Sequence, residues 1–446
     1  MKTWVPISLI LIALSARSFG QAAPTATEAV TSNPSGVTGP RLSWVDGTVH
    51  YAVTASEFVQ LGYFGPNNTT STTAFSGNVG WATESNTHPT SLLVSGGVLI
   101  GQGGQGTSTF ESFGLTQGLV KGKWIFNFSD FFSFIPQSPT AGISGVPGVG
   151  DLGITQVPGP ATDPAGGVLT YSGNRISNMM SGGLERRLNG KTSLSGSASW
   201  SLLHFLDKNA GLDNSSISGS VSLNRRINAR NSAGLSAVYS TYEVTGIYAN
   251  LPTGFPQDNI TYTTKGVNLS YQHQWTRLLS TDVSGGPQFI QSSAAQLIPD
   301  KLNFFASAGV NYSRQIANFS AHYSHGVNGG SGVQAGAISD NATFSANRTF
   351  GRAWAASGVF SYSHTSGLFT PFPNSSSAIN GATSTEWFSL QANRALTRTI
   401  SFYGSYTIQN QSINKVLSTQ NAFSGLSNTF GFGVTWAPQS KRVGEF

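Results

Sequence analysis

The 446-residue sequence predicts an all-β chain: a transmembrane antiparallel β-barrel of about 18 strands, with 16 as the alternative. Three observations predict it. Long segments alternate apolar and small polar residues, the mark of a strand with two unlike faces. Connections between them alternate between short turns and long Gly/Asn/Pro loops. The sparse cations gather at the short turns. Composition agrees, since charged residues make up only 9%, against roughly 25% in soluble domains. Hydrophobic residues reach only 38%, and no apolar run of about 18 residues exists beyond the N-terminus, which excludes a helical membrane protein.

The elements follow in order. Residues 1–20 read as a secretory signal peptide: Lys2, then the apolar "WVPISLILIALSA", then small residues for cleavage. Residues 21–48, rich in Pro, Ala, Thr and Ser, read as a linker, and the barrel spans 49–437. Strands are expected near 49–63, 71–84, 90–102, 109–120, 123–135, 174–187, 191–205, 214–227 and 230–244. The second half continues near 260–275, 278–290, 301–313, 316–327, 337–349, 352–364, 383–395, 398–410 and 425–437. Residues 438–446 are left as a tail, because Pro438 breaks the last strand.

The clearest strand is 192–202. Leu194, Gly196, Ala198, Trp200 and Leu202 share one face, and Ser193, Ser195, Ser197 and Ser199 the other. Ser218, Ser220 and Ser222 repeat the pattern, as do Asn268, Ser270 and Gln272, then Ser401, Tyr403 and Ser405. A solvated sandwich would carry Lys and Glu on its polar face, and its strands would be about 5–6 residues long. These thirteen polar positions are therefore expected to line a pore. They are mostly small and uncharged, so the wall offers hydrogen bonds and little charge discrimination.

The short turns hold Arg186, Arg187, Arg225, Arg226, Arg230, Arg277, Arg348, Arg352, Arg394 and Arg398. A charge facing lipid at mid-membrane costs about 2–4 kcal/mol, and roughly 0–1 at the interface. Cations are therefore expected at a rim, where arginine meets lipid phosphates. Trp124, Trp275, Trp354 and Trp436 are expected to form a girdle at that rim, with Trp200, Tyr362 and Trp387 in a second girdle at the other.

On this pattern the chain resembles bacterial outer-membrane barrels, porins in particular, over 49–437 and by architecture. The resemblance implies short periplasmic turns, long outer loops and passage of small hydrophilic solutes with weak charge selection. It also implies contact with outer-membrane lipids and recognition by the barrel-assembly machinery, read from Trp436 or Phe446. A homotrimer is the implied assembly option, which small wall residues such as Gly196 and Ala198 would permit. In porins the third outer loop narrows the pore. Here that loop is 136–173, a constriction, an outer lid or a plug, and its only acids are Asp151 and Asp163. The alternative functions are a structural or surface-binding barrel without an open pore, and an outer-membrane lipid-modifying enzyme.

Other chemistries find no support. Net charge is +6 on the full chain, with no basic stripe for nucleic acid. There is no cysteine. "HYSH" puts His322 and His325 on opposite faces of a strand, which excludes a two-histidine metal grip. "NGKTS" lacks the upstream glycine of a phosphate loop. No acid is placed beside a histidine by sequence alone, so no enzyme, cofactor or metal is expected.

Overall fold

The computed structural model describes residues 47–62, 68–83, 85, 87–101, 106–135, 174–206, 212–245, 259–314, 316–330, 335–351, 353–368, 382–413, 423–438 and 441–443. The expected signal peptide, most of the linker, the 136–173 loop with Asp151 and Asp163, and Arg352 lie outside the described residues.

The strands run in order as β1 (Gly47–Leu61), β2 (Thr69–Thr83), β3 (Thr90–Gly101), β4 (Thr107–Lys121), β5 (Trp124–Ile135) and β6 (Arg175–Arg187). Then come β7 (Thr192–Phe205), β8 (Asp213–Arg226), β9 (Asn231–Thr245), β10 (Ile260–Gln274), β11 (Leu279–Ser292) and β12 (Lys301–Arg314). The last are β13 (Ala317–Gly330), β14 (Ala335–Phe350), β15 (Trp354–Gly367), β16 (Ala382–Ala395), β17 (Ile400–Ile413) and β18 (Gly425–Trp436). Each long strand pairs antiparallel with its sequence neighbours, and β18 returns to β1, from Val53↔Trp436 to Leu61↔Asn428. The result is a closed 18-strand barrel.

The end of the chain differs from the expected tail. Lys441–Val443 forms a short β19 on β1, opposite Gly47–Val49. Pro438 interrupts the strand but does not end the pairing. The physical reason is that β1 starts below Val53, so its edge would otherwise carry unpaired N–H and C=O groups.

Among the described residues, the longest break in a ladder lies between β12 and β13. β12 and β13 pair from Arg314↔Ala317 up to Ala306↔His325 and no further. Yet β12 keeps pairing with β11 as far as Lys301, and β13 with β14 as far as Gly330.

Four tight turns are built alike. Leu188, Ile227, Trp275 and Leu396 each donate their amide to the carbonyl four residues on. The Asn189 side-chain oxygen accepts from the Lys191 and Thr192 amides at 2.8 and 2.9 Å. Asn228 does the same for Arg230 and Asn231 at 2.8 and 2.9 Å. Thr276 accepts from Leu278 and Leu279, and Thr397 from Thr399 and Ile400. Asn and Thr suit this place because a short side chain can mimic a backbone acceptor. In two further turns, Gly122 and Gly351 take φ of 62° and 63°, a region that favours glycine.

Asn189→Ala is expected to lower unfolding free energy by about 1 kcal/mol, because it deletes the acceptor for two turn amides. Asn189→Asp should keep most of it. Urea unfolding in vesicles, followed by tryptophan fluorescence, measures both.

Candidate functional site

Hydrogen bonds across the barrel fix which face is inside. Tyr262 on β10 donates to the Asn328 carbonyl on β13 at 2.6 Å, and Tyr242 on β9 to the Val327 carbonyl at 3.2 Å. Both rings are therefore interior, and alternation along β10 puts Thr264, Asn268, Ser270 and Gln272 inside with them. Register then carries the assignment around the wall. Tyr242 pairs with Ser216, so Ser218, Ser220 and Ser222 face inward, opposite Ser199, Ser197 and Ser195, with Ser193 on the same face. On β17, Ser401, Tyr403 and Ser405 face inward opposite Thr435, Gly433 and Gly431. The other face carries Leu194, Ile217, Val221, Leu223 and Leu269, all exposed. Exposed apolar surface of this extent needs an apolar surrounding.

The inner wall is a set of hydroxyl ladders. Ser195–Ser222, Ser197–Ser220, Ser199–Ser218 and Ser201–Ser216 pair at 2.6–3.0 Å between β7 and β8. Ser129–Ser181 and Ser133–Ser177 continue them at 2.6 Å, and Ser284–Ser307 and Ser320–Ser345 lie further round at 2.7 and 2.9 Å. Each hydroxyl has one proton and two lone pairs, so a pair uses part of its capacity and leaves the rest for water or solute. Ionisable inward residues are few and lie mostly near the ends. Asp282 and His322 are the mid-wall exception and flank Gly309. A Cβ at Gly309 would sit 2.5 Å from Asp282 Oδ1, so the glycine makes room for the carboxylate.

The loop end of the lumen is pinched. Asn214, Tyr242 and Tyr262 come from β8, β9 and β10, and donate to the consecutive carbonyls of Gly329, Val327 and Asn328 on β13. In a circular barrel, walls three to five strands apart would stand on the order of 18–27 Å apart, given a spacing of ~4.8 Å and a tilt of ~40°. The wall is thus folded inward, and the lobe it pinches off is largely apolar. Ala294, Leu297 and Ile298, from the connection between β11 and β12, pack there against Tyr242, Tyr262, Ile290 and Val327. Phe58, Ala74, Leu99 and Phe110 form a second interior apolar patch. Trp387 is also interior, packed with Phe423, and does not join the expected outer girdle. Its strand alternates with Thr385 and Ser389, which share its inward face.

The rim cations lie where the turns are tight, and every described one is exposed. Arg186, Arg225, Arg348 and Arg394 point outward, Arg187 and Arg226 inward, and Arg230, Arg277 and Arg398 sit in the turns. Arg186 stacks over Trp124 at 5.0 Å, Arg394 over Trp354 at 5.2 Å and Arg348 over Phe350 at 5.0 Å. Cation and interfacial ring therefore share one position.

A second outward belt near the long-loop end is acidic and was not expected. It comprises Glu57, Glu111, Asp130, Asp213, Glu243, Asp340 and Glu386. Several have polar partners: Thr73 donates to Glu57 at 2.6 Å and Asn178 to Asp130 at 3.0 Å. On β16 the outward apolar span between Arg394 and Glu386 is about 20 Å tall at ~3.3 Å per residue and ~40° tilt.

This belt also sets acids beside histidines that sequence alone does not pair. His325, Asp340, His364 and Ser384 form one row across β13 to β16. His325 Nδ1 lies 2.8 Å from Asp340 Oδ1, Tyr323 donates to the same oxygen at 2.6 Å, and His364 Nδ1 lies 2.8 Å from Ser384 Oγ. His204 likewise meets Asp213 at 2.6 Å. Hairpin arithmetic carried the signal, since Asp340 and His364 are equidistant from the turn joining β14 to β15. Among the described residues no group of three or more His, Cys, Asp or Glu could hold a metal.

No family model matches the chain, and no curated protein matches it. The chain is similar to solved outer-membrane barrels at low identity. OpdK from Pseudomonas aeruginosa is 10% identical, with 89% of this chain and 99% of that one covered and a TM-score of 0.41. The FrpB iron transporter from Neisseria meningitidis (F3-3 variant) is 10% identical, with 88% and 81% covered and a TM-score of 0.41. OprD from Pseudomonas aeruginosa is 10% identical, with 88% and 95% covered and a TM-score of 0.38. The likeness is one of fold.

Tyr242→Phe/Tyr262→Phe is expected to release the inward-folded wall. The double variant should open larger unit conductance steps in a planar bilayer than the parent, while keeping its barrel circular dichroism.

Proposed function

We propose that the chain is an outer-membrane, porin-like channel for passive diffusion of small hydrophilic solutes with weak charge selection. The observation that carries this reading is the inner wall, rich in Ser, Thr, Asn and Gln between its apolar patches, with paired hydroxyls on one strand after another. Barrels of this strand number enclose an aqueous channel. A wall of small neutral side chains keeps such a channel wide and hydrated, and offers hydrogen bonds to any polar solute. The asymmetric belts support the outer-membrane placement. Arg–aromatic pairs suit a phospholipid headgroup surface on the tight-turn side, and carboxylates suit the other side, at the long loops. The partners on this reading are outer-membrane lipids, the barrel-assembly machinery and the solute itself. Self-association as a homotrimer would use the outward apolar wall.

Single-channel recording of the refolded mature protein tests the pore, repeated with residues 136–173 shortened. Stable steps in the full-length protein, larger after shortening and with similar cation and anion permeability, are expected. Silence in both, with folding verified, would move the function to the outer surface.

A second reading, an outer-wall hydrolase, is favoured by one observation: the Ser384–His364 contact at 2.8 Å beside Asp340. Against it, Ser384 lies within a strand laddered on both sides, so the amides near it are committed to the sheet. An oxyanion hole needs amides aimed at developing charge. A fluorophosphonate probe is expected to leave Ser384 unmodified. Stoichiometric labelling, lost in Ser384→Ala and in His364→Ala, would establish the enzyme.

A further inference from the structure

The incomplete ladder between β12 and β13 leaves a seam in the wall. Continued register would set Phe305 against Gly326, Phe304 against Val327, Asn303 against Asn328 and Leu302 against Gly329. Among the described strands, no other neighbouring pair separates over so many residues while both strands run on; β4 and β5 part above Glu111↔Phe134, where β5 continues by a single residue. The upper part of β13 instead turns inward, held through its carbonyls by Tyr242, Tyr262 and Asn214. Outside the seam, Leu302 is 71% exposed and Phe304 56%.

Behind the seam lies an amphipathic interior. Thr264, Gln288 and Asn303 face inward on β10, β11 and β12, with Gln288 and Asn303 directly opposite each other. Thr264 is only 1% exposed. Thr264 Oγ1, Gln288 Oε1 and Asn303 Nδ2 are buried and have no protein partner. A buried polar atom left unpaired costs about 1–3 kcal/mol, so a ligand that meets these atoms recovers that cost. Next to them, toward the loop end, are Tyr262, Ile290, Leu297 and Ile298, each 0% exposed. One polar patch beside one apolar patch, behind the place where β12 and β13 part, fits a molecule with a small polar head and one hydrocarbon chain.

We propose that the seam between β12 and β13 is a side port for a single-chain amphiphile of the surrounding leaflet. Its head meets Thr264, Gln288 and Asn303, and its chain lies along Leu297 and Ile298. Aqueous solutes use the axial lumen, so this route is separate from the pore and rests only on the wall being membrane-spanning.

The test uses the full-length protein in phosphatidylcholine vesicles containing a diazirine-bearing palmitic acid, which is photolysed and mapped by peptide mass spectrometry. Label on Tyr262, Leu297, Ile298 and Asn303 is expected to exceed that on outward Ile217 and Leu269 by about five-fold, a preference of ~1 kcal/mol. The chain has no cysteine, so F305C/G326C introduces the only thiols. A Cβ at Gly326 would lie 3.2 Å from the Phe305 ring, so the two positions adjoin. Oxidation should abolish the interior label and reduction restore it. N303L, which needs no new bond, should lower the interior label and spare the outward label. Label confined to outward residues, or interior label unchanged in both variants, overturns the proposal. Ion conductance read in the same preparation separates the two routes. A silent barrel with interior label removes the pore and keeps the port, and a conducting barrel without interior label does the reverse.

Discussion

Everything in this structure depends on one constraint: a backbone N–H or C=O facing hydrocarbon must be paired within the protein. A sheet meets that demand only by closing on itself, and β18 does so by pairing with β1 along Val53–Leu61. The short strand at Lys441–Val443 extends the same solution where β18 has ended. Closure leaves each strand one face for lipid and one for the lumen, and the alternation of Leu, Ile and Val with Ser follows from that.

Inside, the wall solves a different problem. Small hydroxyl side chains satisfy one another across strands, and no charge has to be neutralised along most of the lumen. Toward the loop end the inner face changes character. Phe58, Leu99, Phe110, Trp387 and the Tyr242–Ile298 cluster add apolar patches beside polar residues such as Gln60, Gln411 and Ser427, and the folded-in wall narrows it. The polar mid-lumen and its partly apolar mouth are therefore different environments within one barrel. The place where β13 leaves β12 is where the pairing rule is relaxed, and there side-chain donors from across the lumen take over β13's carbonyls.

Much of this was legible in the sequence. Period-2 alternation located each of the 18 long strands, because a strand between lipid and water cannot hide its pattern. The turns were legible as short connections that gather the cations; the side-chain caps of Asn189, Asn228, Thr276 and Thr397 came from the structure. The cationic rim was legible because its charges are close in sequence. Trp387 was misread because an aromatic near a strand's outer end suits an interface as well as a plugged mouth, and only its parity with Thr385 and Ser389 decides. The acidic belt was missed because its members come singly, one to a strand, and meet only through register.

The sequence by itself determined the strand pattern, the two faces, the tight turns and the side on which cations gather, since each rests on neighbours within one hairpin. Only the tertiary structure decided the rest: the pairing of β1 with β18, the row His325–Asp340–His364–Ser384, the inward fold of β13 and the seam beside it. The physical reason is distance along the chain. Those features join strands whose contacts are set by barrel closure and by packing across the lumen, and no local propensity encodes either.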